Sequence, residues 1–485
     1  MVPESRIESL RKLYSSYDQE HIFEGLENIS SSELDDFVAD LESIDIENLM
    51  NSFDRATREE SGVIVPSDIQ PLDNCEFDSE ISCSPEKLKS WYNEGLNRIA
   101  ANEVATIVMA GGQGTRLGSC RPKGCYKIGI PSDKSLFQVQ SERILRLQKI
   151  AADHAGVDPS TVRIVSLVMT SLATRSETEE FFRENNYFGL DPSQFKMFDQ
   201  GSIPCFTNEG KLILQNYGKL SKSPDGNGGI YHGLVASNLL KELKEAGVKY
   251  FHAYSVDNIL VRVADPWLIG YSVLRKAESG ALTLPKQSWN EKVGVVCKNK
   301  GKYQVLEYSE IPEELAKKIN PETNSLYYNH ANICNHFFHV DFLEKIESIK
   351  NELDYHVAKK SIPYFDTSVG KTITPPKGGK TNGIKLERFI FDVFAFCKNL
   401  SVLNVDRSVS FSPLKNPPGS SSDCPESSRA DLINLHIRYA EAAGAVIEGN
   451  ARSSFEISPL VTYAGEGLEF LKNRIFVDET IIDKQ

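Results

Sequence analysis

The spacing of apolar residues changes character near residue 103. Before it they recur at three and four positions, predicting helices over Ser5–Leu26, Ser31–Ile44 and Ser84–Ala101, the last carrying Leu88, Trp91, Leu96 and Ile99 on one face. From Val104 onward, unbroken apolar runs take over: VATIVMA (Val104–Ala110), RIVSLVMT (Arg163–Thr170) and VKYFHAYSV (Val248–Val256). They alternate with helix-like stretches at Ser135–Ala155, Glu177–Asn186, Tyr231–Ala246 and Asp265–Ser279. Buried strands alternating with helices imply βαβ units, hence an α/β protein with a mainly parallel central sheet. Beyond Ala281 the runs shorten to GVVCK, YQVLEYSEI and ANICNHFFHV, which fit added strands, some antiparallel, on the same sheet. Two long Gly/Pro-rich loops, Asp366–Gly383 and Asn416–Ser428, interrupt the later part, and the second reads as a mobile boundary or lid. A helix over Arg429–Ala443 and a mixed tail follow. The expected organisation is a helical region over 1–101, a sheet domain over 102–400 and a small C-terminal domain over 401–485.

Composition narrows the function classes. With 485 residues and 40% hydrophobic positions the chain can bury large cores. Its 54 basic and 67 acidic residues leave a net charge of −13, which argues against nucleic-acid binding through the overall field but leaves room for a local basic pocket. No apolar run approaches the ~20 residues a membrane span needs, and MVPESRIESLRKL has no signal-type apolar core. Nine cysteines without a C-x-x-C pair suit free thiols in a reducing compartment, so a cytoplasmic location is expected and no structural metal site.

The chemistry concentrates after the first buried strand. In Met109-Ala-Gly-Gly-Gln-Gly-Thr-Arg-Leu-Gly118, four glycines fall within eight positions, and Arg116 and Lys123 follow in the same loop. Glycines let the backbone come close to a ligand, and consecutive N–H groups can form a nest for oxygen anions. The turn therefore reads as a phosphate cradle. It is no Walker A loop, because Gly118 is followed by Ser119 and Cys120. Nor is it a dinucleotide fingerprint, because no acidic residue ends the next strand. Kinase H-R-D and D-F-G elements do not occur.

GGQGTRLG followed by Pro122-Lys123 resembles the signature of nucleotide-sugar pyrophosphorylases. PDGNGG (Pro224–Gly229), SVDNIL (Ser255–Leu260), VLEYSEI (Val305–Ile311), NICNHFF (Asn332–Phe338), NGIKLERFIFDVF (Asn382–Phe394), FSPLKN (Phe411–Asn416) and YAGEGLE (Tyr463–Glu469) follow in order. Together they resemble the eukaryotic UDP-N-acetylglucosamine pyrophosphorylase family over about residues 85–470. The resemblance implies a doubly wound, Rossmann-like nucleotidyltransferase fold and a Mg²⁺-dependent reaction of UTP with N-acetylglucosamine 1-phosphate. UDP-glucose or broad UDP-sugar pyrophosphorylases, and an inactive UDP-sugar-binding regulator, are the alternatives.

The same resemblance implies roles. Met109, Ala110, Gly111, Gly112 and Gly114 would lie along the nucleotide, Arg116 would fork onto the β/γ-phosphates and Lys123 would meet the α-phosphate. Asp257, at the carboxyl end of a strand, would hold Mg²⁺. Gln200 would read the uracil, and Gly226 would let the PDGNGG loop pass the base or ribose. Asn227, Glu307, Tyr308 and Asn332 would contact the sugar, with Lys385 and Lys415 completing the cationic set. The oligomeric state is not legible.

Overall fold

Val104–Met109 (β3 below) is buried at every position, because as an inner strand it is covered on both faces. In the computed structural model it belongs to an eleven-stranded sheet. The structure describes residues 3–58, 65–349, 352–376 and 378–483. In chain order the sheet's strands are β1 (Ile69–Gln70), β2 (Phe77–Ser79), β3 (Val104–Met109), β4 (Val165–Thr170), β5 (Phe195–Asp199), β6 (Tyr250–Ser255), β7 (Ser279–Pro285), β8 (Val295–Asn299), β9 (Lys302–Leu306), β10 (His330–His339) and β11 (Leu400–Asn404). The spatial order of the main path is β2-β11-β7-β10-β6-β3-β4-β5. All its neighbours are parallel except β10, which runs antiparallel to both β7 and β6. Strand β8 pairs antiparallel with β1, β9 and β10. The expected mainly parallel α/β sheet with antiparallel additions is therefore present.

The chain steps outward from β3 to β4 and β5 on one side, then returns to place β6 on the other side of β3. That reversal is a topological switch point, and it opens a crevice at the carboxyl ends of β3 and β6.

The chain forms two compact units. The first gathers Met1–Val63, Gln200–His232 and Ser348–Asp392, and the second gathers Ile64–Asp199, Gly233–Glu347 and Val393–Gln485. Compactness thus does not follow the linear order of segments. In the first unit, helices Glu4–Ser15, Ser31–Ser43 and Ile46–Thr57 bury Tyr14, Phe37, Leu41 and Phe53 against Phe206, Leu212 and Leu386. The helix expected to reach Leu26 stops at Ser15, with Asp18 in the left-handed region (φ 61°). Ser31–Ser43 starts where expected, through a reciprocal Ser30–Glu33 capping box. In the second unit, helix Pro85–Ala100 packs tightly on helix Pro266–Leu274. A side chain at Gly95 would overlap the Pro266 carbonyl, and one at Gly270 the Trp91 carbonyl.

Two further differences have local causes. The predicted Tyr231–Ala246 helix is split into Gly229–Ala236 and Leu239–Glu245 by Asn238, at φ 60°. The C-terminal helix begins at Pro425, inside the predicted loop, because Cys424 forms a capping box with Ser427 and proline suits the first helical turn. Its core with Phe455, Ile457 and Leu471 is a separate apolar cluster of the second unit.

Candidate functional site

The glycine-rich loop leaves β3 under tight control. Ala110 N–H donates to Met169 O (2.9 Å), Met109 O accepts Val256 N–H (3.3 Å), and Gly111 O accepts the Ser171 hydroxyl (2.8 Å). The loop thus starts pinned to the ends of β4 and β6. Gly114 N–H to Arg121 O (3.0 Å) and Lys123 N–H to Gly112 O (3.2 Å) close it across its base. Inside, Thr115–Leu117 makes one short turn that ends at Gly118 with φ 74°, a conformation glycine adopts without strain. Arg116 is exposed on that turn and makes no ion pair or hydrogen bond with a described residue.

A Cβ built on Gly112 meets nothing within 4 Å, so the space beside this backbone is open. At Gly124, by contrast, a Cβ would overlap the Phe137 ring. Gly112 thus faces open space and Gly124 faces packing.

Two residues past the end of β6, Asp257 faces Lys123: Nζ lies 3.1 Å from Oδ2, with both side chains largely buried. The other carboxylate oxygen accepts the Ser255 hydroxyl at 2.7 Å. The backbone carbonyl of Asp257 accepts Leu414 N–H (2.9 Å), and Ile259 N–H donates to Ser412 O (3.2 Å). The FSPLK segment therefore runs alongside Asp257, and Lys415, the residue after Leu414, is exposed with its Nζ 5.9 Å from the Phe411 ring centroid. The loop behind Lys415 is closed on itself, because Lys415 N–H and Asn416 N–H both donate to Asp423 O (2.7 and 2.8 Å).

Two bracing residues escaped the sequence reading. On helix Leu136–Ala155, Gln140 donates to Val256 O (3.0 Å) and Arg143 donates to Ile259 O (2.6 Å) and Val261 O (2.9 Å). Arg143 is fully buried and makes no salt bridge with a described carboxylate; burial lowers its pKa from the ordinary arginine value. Their signal was polar residues three apart on the apolar face of a predicted helix.

Metal fit follows from these donors. No group of three His, Cys, Asp or Glu side chains that could hold an ion occurs among the described residues. Asp257 is a single carboxylate beside the glycine-rich loop. Such a donor set suits Mg²⁺, which takes most of its ligands from phosphate oxygens and water, and does not suit an all-protein cage.

Two sugar candidates of the second unit border Gly294. Asn332 N–H donates to Gly294 O (2.8 Å), and a Cβ on Gly294 would come within 2.9 Å of Glu307 Oε1. Gly294, quoted in GVVCK but not singled out there, thus leaves room for the Glu307 carboxylate beside the backbone that Asn332 bonds. Tyr308 beside them is 51% exposed.

Gln200, Gly226, Asn227 and Lys385 lie in the first unit. Asn227 Oδ1 accepts Ile390 N–H (2.9 Å), so its carbonyl holds the loop. Lys385 lies on strand Gly383–Glu387 between buried Ile384 and Leu386, so alternation turns it away from that core. A cavity of about 510 Å³ in this unit is lined by His21, Lys211, Tyr364 and Lys380 and by none of the candidate residues.

The family model described as UTP–glucose-1-phosphate uridylyltransferase matches residues 46–469. A human protein, UDP-N-acetylhexosamine pyrophosphorylase-like protein 1, is 44% identical over 82% of this chain and 81% of its own length. The UDP-N-acetylglucosamine pyrophosphorylase of Saccharomyces cerevisiae is 38% identical over 96% of this chain and 97% of its own. The chain belongs to the UDP-N-acetylglucosamine pyrophosphorylase family. Among solved structures, the uridine diphosphate N-acetylglucosamine pyrophosphorylase of Trypanosoma brucei superposes with a TM-score of 0.83 at 30% identity, covering 100% of this chain and 99% of that one. A UDP-glucose pyrophosphorylase of Leishmania major, 16% identical with a TM-score of 0.60 over 87% of this chain and 85% of its own, shares the fold. In a family of that fold, a glycine loop and a carboxylate meeting at the switch point occupy the expected place for nucleotide chemistry.

Proposed function

We propose that this chain transfers a uridylyl group from UTP to N-acetyl-α-D-glucosamine 1-phosphate, giving UDP-N-acetylglucosamine and pyrophosphate. The observation that carries this reading is the meeting of an open glycine loop, Lys123 and Asp257 at the carboxyl ends of the parallel strands β3 and β6. A phosphate oxygen of the sugar phosphate attacks the α-phosphorus in line, and the α-phosphorus–oxygen bond to the β-phosphate breaks with its electron pair leaving on pyrophosphate. Two polyanions must be brought together, so the protein's work is alignment and charge neutralisation. The backbone of Gly111, Gly112 and Gly114 cradles phosphate oxygens, Arg116 reaches the β/γ-phosphates, and Lys123 bears on the α-phosphate. Lys415 and Lys385 supply further cations for the sugar phosphate and the leaving pyrophosphate. Gln200 and Gly226 serve the uracil and ribose; Asn227, Glu307, Tyr308 and Asn332 serve the sugar. Asp257 would hold Mg²⁺, which when bound screens the phosphate charges. No helix among the described residues is long and apolar enough to cross a membrane, and with the free thiols this supports a cytoplasmic enzyme.

Because the family model is described by glucose 1-phosphate, that sugar belongs in the test. Pyrophosphate release from UTP is measured with N-acetylglucosamine, N-acetylgalactosamine and glucose 1-phosphates. Fastest turnover of the N-acetylglucosamine ester is expected; equal rates would favour a broad UDP-sugar enzyme, and no release would leave a binding regulator.

A further inference from the structure

Asp225, inside PDGNGG, is 8% exposed and ties together two of the first unit's three chain segments. Its N–H donates to Gly201 O (3.1 Å), and its carbonyl accepts Arg388 N–H (2.7 Å). Gly228 N–H donates back to Arg388 O (2.9 Å), and Ile390 N–H donates to Asn227 Oδ1 (2.9 Å). A side chain at Gly201 or Gly229 would overlap the Asp225 carboxylate, so both glycines wall its socket. Asp225 Oδ1 is buried without a hydrogen-bond partner among the described residues, as is Arg388 Nε, and the Arg388 guanidinium lies 4.0 Å from the Tyr355 ring centroid.

Burial raises the carboxyl to about 6, against the opposing pull of Arg388 and His232. An asparagine of the same shape would avoid that desolvation. A costly ionised group kept where a neutral one would fold points to function rather than stability.

We infer that Asp225, with Arg388, is the positioning pair that holds the Gln200–Gly201 and Gly226–Asn227 segments ready for the nucleotide sugar. This rests on the uridylyl-transfer reading. Among the described residues Asp225 makes no ion pair within 4 Å, and the Arg388 guanidinium attracts its carboxylate from farther away; when the carboxylate is neutralised that attraction is lost and the cross-links at 226–228 and 388–390 loosen. The groups facing the carboxylate are Arg388 and His232, with Tyr355 beyond and Arg55 acting on Tyr355.

The test has two arms. In unliganded protein at pH 7.5, Asp225→Asn should lower hydrogen-exchange protection of Gly228, Arg388 and Ile390 by about tenfold or more, without lowering the thermal midpoint. Wild type should lose the same protection, corrected for intrinsic exchange, as pH falls through 6. In steady state, Asp225→Asn should lower kcat/KM for UTP about tenfold, mainly through KM, and lack the wild-type acid limb near pH 6. Gly201→Ala, which displaces the carboxylate, should reproduce the loss, and His232→Asn should keep the acid limb. Unchanged protection, an unchanged acid limb, or a thermal midpoint falling in step with activity would each overturn the inference. Absence of pyrophosphate release by wild type would instead sink the functional reading, while the exchange arm still decides the role of Asp225.

Discussion

Lys123 Nζ and Asp257 Oδ2, 134 residues apart in sequence, stand 3.1 Å apart. The ammonium proposed for the α-phosphate and the carboxylate proposed for a cation form an ion pair with one another. Such a pair keeps both side chains oriented while their charges are partly desolvated.

From this follows an unequal pair of mutational effects. Lys123→Ala should lower kcat by on the order of 10²-fold, because it removes charge that acts in the transition state. Asp257→Asn should blunt the response of activity to added Mg²⁺ after chelation. Because the two groups touch, the double variant should lose less than the product of the single losses. An effect of Lys123→Ala confined to KM would move Lys123 to ground-state binding. A wild-type Mg²⁺ response in Asp257→Asn would make Asp257 structural.

Glycines 112 and 124 should fail in opposite ways. Gly112→Ala leaves the packing untouched and should abolish UTP use with an unchanged thermal midpoint. Gly124→Ala drives a methyl group into the Phe137 ring and should cost on the order of 1–3 kcal/mol of stability. Thermal unfolding beside initial rates separates the two. Normal turnover of a folded Gly112→Ala variant would remove the cradle.

Sugar choice should divide between loops. N-acetylglucosamine 1-phosphate should be preferred over glucose 1-phosphate by on the order of 10²-fold, since a site shaped for the acetamido group leaves unpaired polar atoms when glucose binds. Asn227→Ala should narrow that ratio and also lower overall rates, because its carbonyl bonds Ile390 N–H. Glu307→Ala should harm both sugars alike. The ratio of kcat/KM values for the two esters decides it, and an unchanged ratio in Asn227→Ala would place acetamido recognition elsewhere.

Four histidines set an acid limit on stability. His252 and His330 are held near 4, and His336 and His436 near 3, chiefly because burial disfavours their charged forms. A base whose folded pKa is depressed contributes stability that is complete above its unfolded value of about 6.5 and is lost as pH falls toward the folded one. Each histidine should then cost roughly 1.4 kcal/mol per pH unit below 6.5. Three carboxyls oppose them: Asp225, raised to about 6, and Glu80 and Asp265, both raised by burial beside Arg262, favour the fold as pH drops, three groups against four. Denaturant unfolding at pH 7 and pH 5 should show a marked net loss at the lower pH. Equal stabilities would refute the buried neutral state of these imidazoles.

Local pattern alone determined much of this protein. The buried runs at Val104 and Val165 could only be inner strands, because both faces are apolar, and the glycine spacing after Met109 announced a turn that brings backbone close to a ligand. The antiparallel additions were legible too, from runs too short and too closely spaced for crossover helices. The tertiary structure decided which distant residues meet. The reversal of strand order around β3 sets Asp257 against Lys123, and β10, by inserting between β7 and β6, carries Asn332 to Gly294. Burial of Arg143 beneath the Asp257 segment and of Asp225 between Gly201 and Gly229 left almost no mark in the sequence. A polar side chain reads the same on a surface or in a core; only the chain's path decides whether water or protein surrounds it, and with that its charge, its partners and its work.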